Sequence, residues 1–307
     1  MLQALVNARA LGSAYALCAL GFVLILNATS AVNFTQGDMV MAGGYVAIAL
    51  AAVFAPHLGA AVGVALLPAV MVAMVVLGLV FSLLAYFPLK SRPPLSVFIS
   101  TIAFGIILQN GANAIFGAEP RGAPPLVGGG QIEAAGISVP QQSLWVIVVA
   151  GVLILAQWWL FARTALGRQL RATAQDRGMA EAIGIRVNWM IALTFGLAAA
   201  LAGAAGLLLA NTFFVSPTDG TNYIIKAYIA VTIGGWGSLA GAVLGALLIA
   251  LFEVIYPSFP ALVGLEAPWG QVVFSQTMST IILYAAVLAI LFFRPQGIFG
   301  EVIQKRA

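Results

Sequence analysis

Apolar runs of 18 or more residues recur along this chain, each long enough to cross a hydrocarbon core as a helix. A sequence built this way has one destination. With 62% of its 307 residues apolar and only 7% charged, it reads as an all-α polytopic integral membrane protein and not as a soluble fold. About 8–10 transmembrane helices are expected, some broken or re-entrant, in a single transmembrane domain over residues 1–307. The net charge of +4 is carried mainly by loops, so it reports topology and not affinity for nucleic acid. The single cysteine, Cys18, lies inside the first apolar run and rules out an intrachain disulfide.

Charge is concentrated in one polar island. Between Arg163 and Arg186 lie Arg163, Arg168, Arg171, Asp176, Arg177, Glu181 and Arg186, with an apolar span on either side. Lys and Arg near membrane ends bias orientation inward, so the loop 163–188 is expected to be cytoplasmic. Thr173-Ala-Gln-Asp176 has the form of a capping box, with Asp in the place of Glu or Gln. It predicts a short helix through Gln175, Met179, Glu181, Ala182 and Ile183 that stops at Gly184. Such a helix either lies on lipid headgroups or is a knob offered to a partner protein. Its interior Gly178 lowers helix propensity by roughly 1 kcal/mol against Ala, which favours a docked knob.

In chain order, Leu11 to Val32 is the first apolar segment. It leads into Asn33-Phe-Thr-Gln36-Gly37-Asp38 and on through Gly43 and Gly44 to Tyr45, a stretch too polar to face lipid. An aspartate at membrane depth must face protein or water. This stretch is either a broken helix or a loop followed by a helix start capped by Asp38. Leu58 to Phe87 is a long apolar run that ends at the basic turn of Lys90 and Arg92. Leu95 to Gly117 carries Thr101, Gly105, Gln109 and Asn113 at four-residue spacing, which predicts one polar face. That face is either glue between helices or the lining of a permeation path.

Residues 118 to 142, rich in Pro and Gly, read as an outer loop. Trp189 to Asn211 is alanine-rich, and Ala198, Ala202 and Gly206 permit close helix contact. The run from Tyr223 to Tyr256 would be about 51 Å long as one helix, too long for a core of about 30 Å. A break at Gly234 to Ser238 is therefore expected, with Gly237, Gly241 and Gly245 forming a packing ridge beyond it. The last run, Val272 to Phe293, ends at Arg294 and a tail with Lys305 and Arg306, so the C-terminus belongs with the island. Two glycine-interrupted elements, 33–45 and 226–238, have the pattern of discontinuous helices in transporters built from paired repeats. Candidate pathway residues are Asn33, Gln36, Gly37, Asp38, Thr101, Gln109, Asn113 and Glu253.

Catalysis on this chain is not expected. It has one His and one Cys, no metal-ligand spacing, no nucleophile elbow and no phosphate-binding loop around any of its three lysines. ATP-driven transport would need a separate motor, with the island as its attachment. The segments Asn33-Phe34-x-x-Gly37-Asp38 and Met41-x-Gly43-Gly-Tyr45 resemble the signature of branched-chain amino-acid ABC-transporter permeases of the LivH type. So do Thr164-x-x-Gly167-x-x-x-Arg171-Ala172, Ala180-x-x-x-Gly184-Ile185, Lys226-Ala227, Gly234-Gly-x-Gly237-Ser-x-x-Gly241-x-x-x-Gly245, Glu253 and Phe293-Arg-Pro-Gln-Gly297. Gln36 and Thr35 depart from the usual His and Ala of that signature.

The resemblance implies a fold like that of type II ABC importers, in the bacterial inner membrane. It implies a second homologous permease subunit, two ATP-binding subunits that hold ATP and Mg, a periplasmic substrate-binding protein, and no cofactor or metal on this chain. Membrane lipid is the other expected partner. The coupling residues it implies are Thr173, Asp176, Met179, Glu181, Ala182 and Gly184. The cargo it implies is a branched-chain amino acid, with other amino acids, amides or urea left open. An ion-coupled secondary transporter or channel for a small polar solute, using Asp38, Glu253 and Lys226, is the alternative from another class.

Overall fold

The computed structural model describes residues 2–58, 62–127, 130–134, 137–263, 272–294 and 297. The tail carrying Lys305 and Arg306, and the Pro-Gln pair of the terminal motif, lie outside them. Eleven α-helices account for most of the described chain: α1 Leu2–Thr29, α2 Gln36–Leu58, α3 Val62–Phe81, α4 Pro94–Phe116, α5 Gln141–Arg163, α6 Ala165–Gln175, α7 Arg177–Ala182, α8 Val187–Thr212, α9 Asp219–Gly234, α10 Leu239–Val263 and α11 Gln276–Phe293. Eight helices among the described residues are long and apolar enough to cross a membrane; α9, at 16 residues, is not one of them. The α3 span runs on through a π turn, Ser82–Tyr86, and a 3-10 turn, Phe87–Leu89. One departure from all-helical structure is a hairpin, β1 Gln131–Ala134 with β2 Ile137–Pro140, inside the expected outer loop.

Small residues decide which helices sit at the centre. The apolar stretches of α1 and α8 are 83% and 89% buried, against 22%, 17% and 17% for α4, α5 and α11. Alanines and glycines of α8 let backbones come together without large side chains between them. A Cβ on Gly206 would run into the backbone of Val40 and Gly44, and one on Gly43 into that of Gly203, so α2 and α8 cross at backbone contact. On the outer side of this crossing Phe81, Phe104 and Phe195 join α3, α4 and α8 through edge-on ring contacts.

The expected break at Gly234 to Ser238 is present, with Gly235 and Gly237 at positive φ. The ridge beyond it packs as expected: Gly241 lies against Gly234, and Gly245 against Ala230. At the other discontinuity a loop then a helix is present, but Asp38 lies inside the first turn of α2 and accepts from the Gln109 side chain, where a cap is the expectation. Residues 30–35 are not helical, and α2 then runs unbroken through Gly43, Gly44 and Tyr45. The late element, 226–238, holds the break at its end, with Lys226 within α9, and a further turn, Phe213 to Thr218, precedes α9.

Contacts fix which way each helix runs. Arg177 of α7 donates to the carbonyl of Ala28 at 2.8 Å, placing the end of α1 at the island. Asn7 near the start of α1 pairs with Ser143 at the start of α5, at the opposite end. Tyr45 of α2 reaches the carbonyl of Val215, whose backbone pairs with Arg121 of the outer loop. Asn27 of α1 reaches the carbonyl of Gly237 just past α9. Hence α2 leads from the interior to the end opposite the island, while α9 leads from the interior to the island end. α1 and α8, and likewise α2 and α9, thus run in opposite senses.

Candidate functional site

Two helices begin inside the bundle, and their first turns meet. Gln109 stands 15 residues into α4, about 22 Å along it at 1.5 Å per residue, and its amide donates to Asp38 Oδ1 at 2.8 Å. Asp38 is in the first turn of α2 and is buried. Its two carboxylate oxygens fit against Gly220, in the first turn of α9, and Gly105 of α4, each of which has no room for a Cβ. Two positive helix ends flank one carboxylate, which stabilises its charge without a cation. Gly37 is equally constrained, because a Cβ there would strike the carbonyl of Gly220.

The turn that leads into α2 is held by side chains. Asn33 Oδ1 accepts from the Thr35 amide at 3.1 Å, an Asx turn. Thr101 Oγ1 accepts from the Phe34 amide at 3.3 Å, and the Thr35 hydroxyl donates to the Thr101 carbonyl. Gln36 Nε2 donates to the carbonyl of Ala198 in mid-α8 at 3.2 Å. Asn33, Gln36, Gly37 and Thr101 are thus buried and packed at a joint within this chain.

The four-residue stripe on α4 is likewise divided. Steps of four residues drift by about 40° on a helix of 3.6 residues per turn, so Asn113 is turned about 120° from Thr101. Thr101 and Gly105 face inward, Gln109 is half-buried, and Asn113 and its neighbour Asn110 are exposed. Exposed amides on a spanning helix call for a protein or water partner.

Glu253 lies elsewhere. Its Oε1 accepts from Lys226 Nζ at 2.7 Å and from Gln276 Nε2 at 3.1 Å, and its Oε2 from the Tyr15 hydroxyl at 3.3 Å. Lys226 also donates to the Tyr15 oxygen at 2.6 Å. The cluster joins α1, α9, α10 and α11 and borders a cavity of about 640 Å³. The sequence reading missed Tyr15 and Gln276 because each is unremarkable in its own helix, and only the fold brings them to a lysine and a glutamate.

In the island the helix boundaries shift. Thr173 is not a cap: it lies buried within α6, and its hydroxyl donates back to the carbonyl of Gln169. Asp176 is the cap of α7, accepting from the Met179 amide at 3.0 Å in extended backbone, while Thr164 caps α6 by accepting from Gly167. Asp176 outcompetes Thr173 because the chain must turn between α6 and α7, and the turn leaves the Met179 amide without a helical partner. Gly184 stops the helix at φ +86 with the Ile185 amide bonded to Ala180, as the glycine predicts. Met179 and Ile183 are 67% and 72% exposed, Glu181 and Ala182 are exposed beside them, and Ala180 faces inward.

These spans, the two helices that begin inside the bundle and the polar island with its capped helix are those of a multi-pass membrane protein. The family described as the permease component of the branched-chain amino acid transport system matches residues 4–293. The high-affinity branched-chain amino acid transport system permease protein BraD of Pseudomonas aeruginosa is 31% identical over 308 residues, covering 98% of this chain and 96% of BraD. The corresponding LivH protein of Escherichia coli K12 is 30% identical over 311 residues, with 98% and 96% covered. Among solved structures, PsaBC from Streptococcus pneumoniae in complex with Fab aligns at a TM-score of 0.48 and 16% identity over 97% of this chain and 92% of that one, a likeness too slight to bear on function. The chain belongs to the family of branched-chain amino acid transport permease components.

Proposed function

We propose that this chain is the permease subunit of an ATP-driven importer of branched-chain or related amino acids in a bacterial inner membrane. The observation that carries the proposal is the island. A short capped helix is fixed to the spans through Arg177 and Ala28, yet presents Met179 and Ile183 to the outside. Exposed apolar side chains on a rigid polar loop favour a protein groove over water. The groove is that of an ATP-binding subunit, one of two, which hold ATP and Mg. Asp176, Met179, Glu181, Ala182 and Gly184 make the contact, and Thr173 supports it from within α6.

A second homologous permease covers the exposed amides of α4, and the translocation pathway takes in Gln109, Asn113 and Glu253. Asp38 holds the joint at which α2 and α9 tilt when the motor closes. A periplasmic binding protein delivers the amino acid, and this chain carries out no chemistry. The cargo class comes from the relatives named for branched-chain amino acid transport. Residues 1–307 act as one transmembrane domain.

The test is affinity purification of the chain from its native membrane with mass spectrometry of what stays bound. Two ATPase subunits and a second permease are expected. Recovery of the chain alone, or only as copies of itself, overturns the importer and promotes an ion-coupled transporter with Asp38 as its first residue to test.

A further inference from the structure

Most of the described exposed surface of the spans is apolar, but one cavity holds an ion pair on its wall. Lys226 and Glu253 border it, paired at 2.7 Å, with side chains 24% and 15% exposed, so the pair is reachable. Its depth is central. Tyr15 is 13 residues from the start of α1 and 14 from its end, and Glu253 is about 21 Å from the start of α10 at 1.5 Å per residue. A lipid headgroup does not reach that depth. Water or a polar solute does.

A second cavity of about 370 Å³ adjoins the first. The two share Leu11, Leu209 and Phe213 as walls. The smaller one opens near Asn7 and Ser143, at the end opposite the island. Asn7, Gln142, Ser143 and Asn211 stand on its walls among apolar residues. A partly polar vestibule thus adjoins the cavity of the ion pair.

The chemistry of the ion pair selects the visitor. Lys226 has three N–H donors and uses two, on Tyr15 and Glu253. Glu253 is an acceptor held by Gln276 and Tyr15 as well as by the lysine. An isolated anion would be repelled by Glu253 and by Asp219, which stands on the same wall, and an isolated cation by Lys226. A zwitterion has both partners. Its carboxylate takes the lysine and its ammonium the glutamate, replacing one ion pair by two charge-assisted contacts. Around this polar pair the walls at Leu11, Leu209, Phe213 and Val254 are apolar and suit an aliphatic side chain.

We propose that the Lys226–Glu253 pair, oriented by Tyr15 and Gln276, is a binding station for the zwitterion of an apolar α-amino acid, reached from the end opposite the island. This proposal rests on the importer reading above for its cargo class and adds the site.

The assembled complex in proteoliposomes tests it by ATP-driven uptake of L-leucine, read beside ATP hydrolysis and subunit co-purification. The double substitution Lys226→Met with Glu253→Leu removes both charges without leaving either unpaired. Uptake is expected to fall by roughly tenfold or more, the loss of one charge-assisted contact or greater, with assembly and hydrolysis retained. Uptake unchanged in the double variant overturns the station.

A second measurement keeps every charge in place. A Thr280→Cys, Cys18→Ala variant puts a thiol on the cavity wall, and leucine is expected to slow its alkylation. 3-Methylbutylamine and 4-methylpentanoate, which each lack one charge, are expected not to. Absence of protection by leucine at concentrations that saturate uptake also overturns the station, whatever the double variant does. No leucine uptake by the unsubstituted complex defeats instead the importer reading, so the two failures are distinct.

Discussion

Asp38 and Glu253 are both carboxylates within the spans, and their surroundings differ in kind. Asp38 is closed in by Gly105, Gly220 and the amide of Gln109, with two helix ends aimed at it. Glu253 faces a lysine, a phenol and an amide on the wall of a large cavity. The first solution spends no countercharge and leaves no space, which suits a joint between two elements that must stay together. The second keeps a cation and an anion in reach of a solute, so either can exchange its partner. A charge inside a membrane is thus not a sign of transport by itself; what matters is whether anything can reach it.

Steric filling of the joint is the most severe way to break this comparison. In Gly220→Leu the new side chain must displace the Asp38 carboxylate and the backbone beside it. Overpacking of a tight core costs typically about 1–3 kcal/mol, and more where backbone is struck. We expect little folded chain in the membrane, measured as monodisperse protein recovered in detergent. Normal recovery with wild-type melting would show that α2 and α9 do not meet as described.

Removing one charge from the pair comes next. Lys226→Met leaves Glu253 with only Tyr15 and Gln276, and the loss of a partner from a partly buried ion pair is expected to cost about 1–3 kcal/mol. The double variant Lys226→Met with Glu253→Leu should recover most of that stability, as read from melting temperature. A double variant less stable than the single one would make the pair chiefly a structural clamp and erase its contrast with the joint.

Much of this architecture is legible in the sequence. Run lengths gave the spans, glycines marked the break between α9 and α10, and Gly184 marked the end of α7. Partner identity was not legible, because periodicity on one helix says nothing of what the next helix brings. Lys226 and Glu253 are 27 residues apart, on helices that meet only after the chain turns at Gly235, and Tyr15 arrives from the far end of the chain. The stripe on α4 misled for a different reason: spacing by four suggested a single face, and the drift of the helix carried Asn113 away from Thr101. Thr173 and Asp176 fit one capping pattern, and only the turn between α6 and α7 determines which of them caps.

Conservative substitution at the joint sharpens the comparison further. Asp38→Asn keeps the shape and an oxygen for Gln109. Glu253→Gln is the matched change at the cavity. Leucine should still protect the Thr280→Cys reporter in the joint variant, whereas the cavity variant should lose protection. Equal behaviour of the two variants would remove the distinction between joint and station.

The smallest effect on stability is expected at the island, where a large effect on function accompanies it. Met179 and Ile183 are exposed and four residues apart, at the tip of a helix held from behind by Arg177. Replacing both by Ser removes apolar surface that is mostly exposed in this chain, so melting should change by no more than about 0.5 kcal/mol per site. If these side chains fill a groove on an ATP-binding subunit, the burial of each is worth about 1.5–3 kcal/mol at that contact. Together they amount to a loss of about two orders of magnitude or more in affinity for the motor. Co-purification with the ATPase should then fall while the yield of folded permease stays the same. Glu181→Lys, which places a cation beside the same tip, should weaken the contact further without touching the spans. Retention of the motor by both variants would move its attachment away from α7.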